Sequence, residues 1–340
     1  MRIETFIKFF LAISLVHFAC SETNRKTTGM EDGIKVSLSG VFRDYRPDFD
    51  PADSCNRGKY QLSNFHVDVL PLNCRPYRNI LDTLTLTPLR DAQGVRLIEM
   101  RGDTIYHPIS IAQYGLGLID FFGRSNDSLS LTLAKSQAAH LLSTAITVDT
   151  SLLFPLEFKY FFYEVDHMSP PWYSAMAQGQ ILSLLCRLYE FTGERKYRIA
   201  ARKTFNSMLR FKRDHEIWFS CVDKEGFLWF EEYPNELPSH VYNGMIFATF
   251  GVYDYYALTK DQRALELFKS ALLTIKHNFE FIRKRGDVSY YCLKYPSQIS
   301  YYQSIHIDQF NYLFDLTGDV FFSSMADSLM LDHTYNKTPI

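Results

Sequence analysis

The feature that most constrains the fold is a helical break that recurs four times after residue 121 of the 340-residue chain. Each break follows an apolar segment of helical periodicity, and a charged residue follows the break. Glycine favours the end of a helix, whereas aspartate or glutamate favours the beginning of the next one. The sequence therefore predicts a helical hairpin that repeats at intervals of roughly 60–70 residues. The four breaks are Phe122-Gly123-Arg124, Phe191-Thr192-Gly193-Glu194, Leu258-Thr259-Lys260-Asp261 and Leu316-Thr317-Gly318-Asp319.

Repeated hairpins of this kind predict a mainly α fold, an α/α toroid or incomplete barrel with β-hairpin insertions. The first helix of each pair is expected inside, because it carries polar side chains among apolar ones. The outer helix Lys196–Lys212 is simply amphipathic. Buried polar side chains lower stability unless they are hydrogen-bonded, so a polar cavity explains them better than a plain helical solenoid does. The inner polar residues are Gln113, Gln178, Gln180, Asn243, His306 and Gln309.

Two regions are predicted after the N-terminal segment. Residues 105–335 form the toroid, with strand-like insertions at Ile217–Ser220 and Phe227–Phe230. Residues 21–104 form a small β-rich or irregular region, because strand-like segments alternate there with clusters of proline, aspartate and asparagine. Those segments are Val36–Val41, Phe65–Val69 and Gly94–Ile98.

Residues 1–20 are interpreted as an export signal. Two basic residues precede the apolar stretch Phe9–Ala19, which is too short to span a bilayer. Cys20 follows a small residue, as it does at a bacterial lipoprotein processing site; plain signal cleavage nearby is the alternative. In either case we expect an exported bacterial protein, periplasmic or anchored to the membrane through a lipid on Cys20.

The cysteines and the net charge indicate which disulfides, metal sites and binding partners this chain can have. Export permits disulfides, so Cys55 and Cys74 can pair, although the sequence does not decide whether they do. Cys186, within an apolar run, is expected to be a buried free thiol. The sequence has neither a Cys-x-x-Cys pair nor a His-Glu-x-x-His motif, so no metal site is predicted. The net charge of −2 provides no broad basic field, and nucleic acid is not an expected partner.

Three blocks of the sequence carry residues that suit catalysis or substrate binding, and the first is Pro170–Gln180. Ser169 is expected to cap a helix whose first residue is Pro170. Trp172 and Tyr173 then lie at the mouth of an inner helix, where an aromatic ring can stack on a sugar ring. A wall of the core is the alternative for both side chains.

The second block joins Trp229–Pro234 to Val241–Gly244. In a regular strand Glu231 and Tyr233 face one side and Glu232 faces the other, unless the chain bends at the proline. Two adjacent carboxylates, Glu231 and Glu232, are typical of a solvent-exposed turn. Because they lie between an aromatic strand and a polar inner helix, a place in a functional site is favoured instead.

The third block begins at Tyr290, reaches Lys294, and continues through Tyr301-Tyr302 to His306 and Gln309. Lys294 is close in sequence to two tyrosine pairs, and a nearby cation lowers the pKa of a phenol from about 10. His306 and Gln309 are one turn apart and are expected to share the inner face. The favoured interpretation of His306 is a hydrogen-bonded core residue.

These blocks resemble the C-terminal catalytic domain of the glucuronyl C5-epimerases of heparan sulfate and heparosan biosynthesis. The run Trp172–Gln180 matches the family without a change, and the family's Trp-Tyr-Glu-Glu-Tyr-Pro has Phe230 at its second place. The resemblance extends from about Tyr106 to Gly318. Further matching segments are Tyr242-Asn243-Gly244, His306-Ile307-Asp308-Gln309-Phe310, Tyr106-His107-Pro108 and Ala112-Gln113-Tyr114-Gly115-Leu116.

The resemblance implies roles for individual residues. An arginine that grips the uronate in the family is Lys294 here, which keeps the charge but loses the bidentate fork. The aspartate and histidine beside the family's tyrosines are replaced at Cys292, Tyr301 and Gln303. The implied catalytic residues are Glu232, Tyr233, Tyr291 and Tyr302. The expected substrate-binding residues are Lys294, Trp172, Tyr173, Gln178, Glu231, Asn243 and His306.

The implied reaction inverts C5 of D-glucuronate to L-iduronate within a heparosan-like polysaccharide and needs no cofactor. One group removes the proton beside the carboxylate, and another reprotonates the opposite face. Tyr302 and either Glu232 or Tyr233 are expected on the two faces, with Lys294 and Tyr291 holding the carboxylate. The expected partner is this acidic polysaccharide, and a homodimer is a further expectation.

Two other functions stay open at this stage. A uronate polysaccharide lyase shares the first proton removal and then expels the substituent at C4. A glycan-binding surface protein without catalysis is the other, although binding alone would not need a glutamate and three tyrosines together.

Overall fold

The computed structural model describes residues 45–78, 88–162 and 166–333. The predicted export signal, Cys20 and the strand-like segment Val36–Val41 lie outside the described residues. Among the residues that are described, no helix has both the length and the apolar character needed to cross a bilayer.

Eight long helices of the described segments form four hairpins in the predicted order. The first helix of each hairpin contacts the first helix of the next, and the second helix packs outside it. This packing is an incomplete α/α toroid, which confirms the predicted fold class. The pairs are α1 (Pro108–Ser125) with α2 (Ser128–Thr144), α3 (Ala175–Thr192) with α4 (Arg195–Met208), α5 (Tyr242–Thr259) with α6 (Gln262–His277), and, after the single turn α7 (Phe279–Ile282), α8 (Ser300–Thr317) with α9 (Val320–Asp332).

The inner helices end at a residue of left-handed conformation, as the breaks predict. Gly193 and Gly318 end α3 and α8 with φ of 69° and 67°. The break predicted at Gly123 is wrong, because α1 continues until Asn126 ends it with φ of 57°. Gly123 lies inside the helix and faces the ring of Phe191, which a Cβ would crowd. That glycine therefore serves packing and does not end the helix.

A close backbone contact joins the inner helices α3 and α5. A Cβ on Gly179 would overlap the backbone of Ala248, and one on Gly251 would overlap the backbone of Gly179. Small side chains at these three positions let the two helices touch along their backbones. This contact fixes the spacing of the inner layer, and with it the ends of the helices where the site is built.

Short antiparallel hairpins fill the connections in the described part of the chain. The predicted insertion before α5 is observed, although its first strand begins at Ser220 and not at Ile217. The last two hairpins in chain order precede α3 and α5, and so lie near the N-terminal ends of these inner helices. The pairs are β1 (Ile98–Met100) with β2 (Asp103–Ile105), β3 (Ile146–Val148) with β4 (Ser151–Leu153), β5 (Tyr160–Phe162) with β6 (Asp166–Met168), and β7 (Ser220–Val222) with β8 (Leu228–Phe230).

Residues 68–78 lie against the C-terminal ends of inner helices. The predicted strand Phe65–Val69 joins no sheet in the described structure. Instead, the N–H of Asp68 donates to the carbonyl of Leu316 in α8, and its carbonyl accepts from the hydroxyl of Tyr253 in α5. Because helix ends supply partners for this backbone, no second strand is needed. The described part of the N-terminal region is therefore mainly irregular.

Cys55 and Cys74, whose pairing the sequence left open, are not bridged to each other. Cys55 forms a disulfide with Cys221 of β7, because residues 56–57 lie beside that strand. Cys74 is an exposed free thiol in a short 3₁₀ turn. Cys186 is buried and free, which confirms its prediction. The disulfide links the N-terminal region to the hairpin before α5.

Candidate active site

The segment after β8 carries the predicted carboxylate and tyrosine. β8 ends at Phe230, so strand alternation does not extend to Glu232 and Tyr233, and both side chains enter one aromatic cluster. The carbonyl of Glu231 accepts from the N–H of Ala175 at the beginning of α3. The end of the strand thus removes the conflict between alternation and a shared site.

Glu232 lies against the first turn of α5. Its carboxyl group fills the space beside Gly244, where a Cβ would overlap Oε2. The residue is only 5% exposed. The glycine of the Asn-Gly motif therefore makes room for a carboxyl group at a helix N-terminus, where a negative charge is favoured.

The predicted tyrosines surround this carboxyl group. The hydroxyl of Tyr291 donates to Glu232 Oε2 at 3.3 Å, and it lies 3.3 Å from the hydroxyl of Tyr233. The ring centroids of Tyr302 and Tyr291 are 4.5 Å apart. The structure therefore brings together Glu232, Tyr233, Tyr291 and Tyr302, the four residues that the family resemblance implies.

Burial dominates the electrostatics of this cluster. Burial raises the pKa of Glu232 from 4.5 to about 7, while hydrogen bonds from Tyr233 and Tyr291 oppose the shift. Burial, with the charge of Glu232, also raises the pKa of the phenols of Tyr233, Tyr291 and Tyr302 well above 10. Near neutral pH the carboxylate can accept a proton, and the phenols are protonated donors.

Tyr160 belongs to the same cluster, and the sequence reasoning missed it. The hydroxyl of Tyr233 donates to the hydroxyl of Tyr160 at 3.3 Å, and the two rings stack with centroids 5.1 Å apart. Phe158, Tyr160 and Phe162 are buried, whereas Phe161 is half-buried. This period-two pattern was the signal that a β-strand turns alternate aromatic side chains into the site.

The predicted role of Lys294 in gripping a substrate carboxylate is wrong. Lys294 is fully buried, and its Nζ donates to Asp166 Oδ2 at 2.6 Å and to the carbonyl of Leu237 at 2.9 Å. The hydroxyl of Tyr295 donates to the same carboxylate oxygen at 2.7 Å. Because Asp166 neutralises this cation inside the protein, Lys294 neither offers a free charge to a ligand nor lowers the pKa of Tyr291.

Glu231 also departs from its predicted role in substrate binding. Its carboxylate is fully buried and bonds to Nδ1 and the N–H of His240. The ring of His240 stacks on Trp229 with centroids 4.1 Å apart. The Glu231–His240 pair is satisfied internally and anchors the segment that presents Glu232.

The helix predicted to begin at Pro170 begins at Ala175, with Ser174 as its side-chain cap. The chain is extended at Trp172, whose backbone exchanges two hydrogen bonds with Leu156. An extended residue in such a pair cannot lie inside a helix. The observed start is therefore five residues later than the prediction.

Trp172 and Tyr173 have different places. The indole of Trp172 stacks on the ring of Tyr160 at 5.9 Å and donates to the carbonyl of Phe158, so it forms a wall of the tyrosine cluster. Tyr173 packs edge-on against Phe219 in the main core. The alternative of a core wall describes both side chains, since each is more than 90% buried.

The polar residues of the inner helices differ in how fully other described residues satisfy their hydrogen bonds. The amide of Gln178 bonds to the backbone of Phe154 and Leu152 and to Ser207, so its predicted contact with substrate is wrong. His306 bonds to Ser289 through Nδ1 at 2.8 Å, and burial lowers the pKa of His306 to about 3. His306 is therefore a neutral residue at the core. Its Nε2 is buried and has no hydrogen-bond partner among the described residues, so its contact with substrate stays a prediction.

Asn243 keeps an open polar atom. Its Oδ1 is buried and has no hydrogen-bond partner among the described residues, and the same holds for Oε1 of Gln113 and of Gln309. The polar cavity expected around these inner-helix acceptors stays a prediction. In the described segments, no group of three His, Cys, Asp or Glu side chains is arranged to hold a metal ion.

Comparison with known sequences identifies relatives of the region that contains this site. A sequence model described as D-glucuronyl C5-epimerase C-terminus matches residues 148–330. An uncharacterised protein of Methanocaldococcus jannaschii is 30% identical over 160 residues, 47% of this chain and 52% of that protein. The D-glucuronyl C5-epimerase of Caenorhabditis elegans is 26% identical over 189 residues, 50% of this chain and 30% of that protein. The chain thus spans about half of one curated relative and under a third of the other.

Comparison with solved structures finds distant likenesses. A sugar epimerase from a ruminal bacterium aligns with a TM-score of 0.47 at 15% identity, covering 72% of this chain and 65% of that one. An unsaturated glucuronyl hydrolase from Bacillus sp. GL1 aligns with a TM-score of 0.44 at 16% identity, covering 66% and 61%.

Proposed function

The chain belongs to the D-glucuronyl C5-epimerase C-terminus family, and on that premise we propose that it is a carbohydrate epimerase acting on an acidic polysaccharide. The reaction inverts C5 of D-glucuronate to L-iduronate within a heparosan-like chain. The observation that carries the proposal is the buried carboxyl group of Glu232 among phenol hydroxyls.

The chemistry needs a base and an acid on opposite faces of one sugar ring. The C5–H bond breaks, its proton goes to the base, and its electron pair enters the enolate of the adjacent carboxylate. A new C5–H bond then forms with a proton from the other face. A base whose pKa lies near the working pH and donors that stabilise the enolate make this step accessible.

The residues of the cluster suit these roles. Glu232, with its pKa raised to about 7, is the base on one face. Tyr302 supplies the proton on the other face, since its phenol stays protonated near neutral pH. Tyr291 donates a hydrogen bond to Glu232 and orients its carboxyl group. Phenol donors take the place of Lys294 in stabilising the enolate.

The disulfide between Cys55 and Cys221 supports an exported location. Such bonds persist mainly in oxidising compartments outside the cytosol. An exported enzyme would meet an extracellular or periplasmic polysaccharide there. We also propose that a lipid on Cys20 anchors the protein to the membrane and that the protein forms a homodimer.

The decisive experiment follows C5 in deuterated water. Wild-type protein incubated with heparosan is expected to place deuterium at C5 while the chain stays intact, and Glu232→Gln is expected to place none. Carboxyl-reduced heparosan is the matched control substrate, because its C5 proton is no longer acidic. Ultraviolet absorbance from an unsaturated uronate would show that the protein is a lyase and not an epimerase. Retention of the glycan with neither signal would leave only a binding protein.

A further inference from the structure

The tyrosine cluster around Glu232 offers little positive charge to an anionic substrate. Glu232 accepts its hydrogen bond from the phenol of Tyr291, and it forms no ion pair with a described residue. The neighbouring cation Lys294 is bonded to Asp166 inside the protein. Affinity for a polyanion therefore has to come from positive charges outside this cluster.

The strand that walls the cluster turns a different set of side chains outward. Tyr160 and Phe162 of β5 are buried on the side of the cluster, whereas Phe161 is half-buried and Lys159, just before the strand, is exposed. Successive side chains of a strand point to opposite faces, so Lys159 and Phe161 share the outward face. His167 of β6 is exposed and lies directly opposite Phe161 in the hairpin. One hairpin thus has a catalytic side and a solvent side.

Two exposed cations are held over the ring of Phe161. Lys159 Nζ lies 4.8 Å from the ring centroid, and the guanidinium carbon of Arg101, from the turn between β1 and β2, lies 4.7 Å from it. Cation–π contacts attract a charged group to an aromatic ring and so hold long side chains in place. The two positive charges are therefore within about one Debye length of each other, and both act on the same bound anion.

The residues that the structure describes do not neutralise these two cations. Arg101 and Lys159 form no ion pair with a described carboxylate, although the exposed acids Asp103 and Glu157 lie only two residues away along the chain. Neighbouring charges of one sign raise the local concentration of counter-ions. This surface is therefore complementary in charge to an anionic ligand.

We propose that the outward face of the hairpin, comprising Arg101, Lys159, Phe161 and His167, binds carboxylates of the acidic polysaccharide that flank the reacting uronate. This inference rests on the proposed function, which makes the substrate a polyanion. The catalytic cluster and this face are the two sides of a two-stranded ribbon, so a polysaccharide that leaves the cluster past the edge of the ribbon meets these charges. Charge-assisted hydrogen bonds from the two cations hold the carboxylates, and the imidazole of His167 bonds to sugar hydroxyls.

The test is the double variant Arg101→Gln/Lys159→Gln, which removes both charges and keeps the ring of Phe161. An exposed ion pair changes an equilibrium constant by a few-fold, so we expect Kd for heparosan and KM for C5 exchange to rise about tenfold, with a much smaller change in kcat. The dependence of Kd on salt concentration should also become weaker.

The matched control is Arg198→Gln/Arg202→Gln, which removes the same charge from exposed side chains of the outer helix α4. These two arginines form no ion pair with a described residue either. Because they lie on an outer helix and not on the hairpin that walls the cluster, we expect Kd and KM to change by less than about twofold.

The outcomes separate this binding face from the proposed function. Unchanged Kd and KM in the Arg101 and Lys159 variant, or an equal rise in the control, would overturn the binding face. Heparosan affinity that depends on these two cations, without C5 exchange in the wild type, would overturn the epimerase and leave the binding face standing. Loss of binding to phosphatidylglycerol vesicles in the variant, with an unchanged Kd for heparosan, would assign the cations to a membrane surface and overturn the proposal.

Discussion

The two ends of the inner helices treat buried charge in opposite ways. At the C-terminal end, Arg75 bonds to Glu190 at 2.9 Å and to Asp254 at 3.3 Å, and Arg187 lies 3.0 Å from Asp254. At the N-terminal end, Glu232 is buried as deeply but accepts its hydrogen bond from the phenol of Tyr291. The C-terminal end pairs each of these carboxylates with a guanidinium, and we call it the paired end. At the N-terminal end Asp166 and Glu231 are bonded to Lys294 and His240, whereas Glu232 lies among neutral donors. We call the surroundings of Glu232 the unpaired end.

The pKa shifts show what this difference does. Burial disfavours the charge of Arg75, but Asp254 and Glu190 outweigh it and raise the pKa of that guanidinium. Burial raises the pKa of Glu232, and phenols only partly oppose it. The paired end is a structural clamp between the N-terminal segment and the toroid. The unpaired end keeps a carboxyl group whose proton affinity suits acid–base chemistry, at a cost in stability.

The largest expected effect is the loss of activity in Glu232→Gln. Removing a general base typically lowers kcat by about 10²–10⁴-fold. We expect the upper part of that range, because no other carboxylate of the described residues is bonded to the hydroxyl of Tyr291 or Tyr233. The measurement is deuterium incorporation at C5 of heparosan. Glu231→Gln is the control for a neighbouring carboxylate bonded to His240. Equal losses in both variants would show that the segment and not the base had been disturbed.

Tyr233→Phe and Tyr302→Phe sharpen the assignment of the acid. Each removes one hydroxyl and keeps the ring, and we expect kcat to fall about 10²-fold or more in the variant that lacks the proton donor. Full activity in both variants would contradict the assignment of an acid to either phenol. The measurement is again C5 exchange, compared for D-glucuronate and L-iduronate as starting residues.

Breaking the paired end should act on stability alone. Arg75→Met leaves Glu190 and Asp254 without one cation, and loss of one partner of a buried pair lowers the unfolding free energy by about 3–5 kcal/mol. Arg263→Met, in the exposed pair with Asp261, is the control and should cost about 1 kcal/mol or less. Denaturant unfolding measures both. A folded Arg75→Met protein with reduced kcat would mean that the two ends are coupled.

The pH dependence of stability should carry the signature of Glu232. Its pKa is raised in the folded state, so the folded protein binds the proton more tightly and stability falls as pH rises from about 4.5 to about 7. A shift of this size corresponds to about 3 kcal/mol. Glu232→Gln should remove that component and be the more stable protein above pH 7. A pH-independent difference between the two proteins would show that Glu232 is not buried in solution as described.

Local signals in the sequence predicted much of the fold. Three of the four helical breaks fall where glycine or a polar residue adopts positive φ, as at Gly193 and Gly318, because the end of a helix is determined by a few adjacent residues. The break predicted at Gly123 is wrong because the sequence does not distinguish a glycine inside a helix from one that ends it. Only its contact with Phe191 separates the two cases.

The site residues that lie within recognised motifs could be predicted from the sequence. Residues that reach the site from distant parts of the chain could not. The sequence places no anion near Lys294, because its partner Asp166 lies 128 residues away, and so it favours a ligand for the uronate. It likewise gives no sign that Cys55 pairs with Cys221, which is 166 residues distant. Tyr160 was missed because it stands outside every recognised block. Pairing partners depend on tertiary structure, which spacing along the chain does not record.

The smallest expected effect tests how the unpaired end makes room for its carboxyl group. In Gly244→Ala the added Cβ would overlap Glu232 Oε2, so the carboxyl group must rotate away from the phenols. We expect kcat to fall about tenfold, because the base is displaced but kept. Stability should fall by about 1–3 kcal/mol, because the added Cβ also meets Cβ and Cδ of the buried Glu232 at 3.0 Å. Gly193→Ala is the control at the other end of an inner helix: its positive φ makes alanine strained there, so it should lose stability and keep kcat. If Gly244→Ala lost stability and kept kcat instead, the glycine would serve helix packing, and the carboxyl group would not depend on the space beside α5.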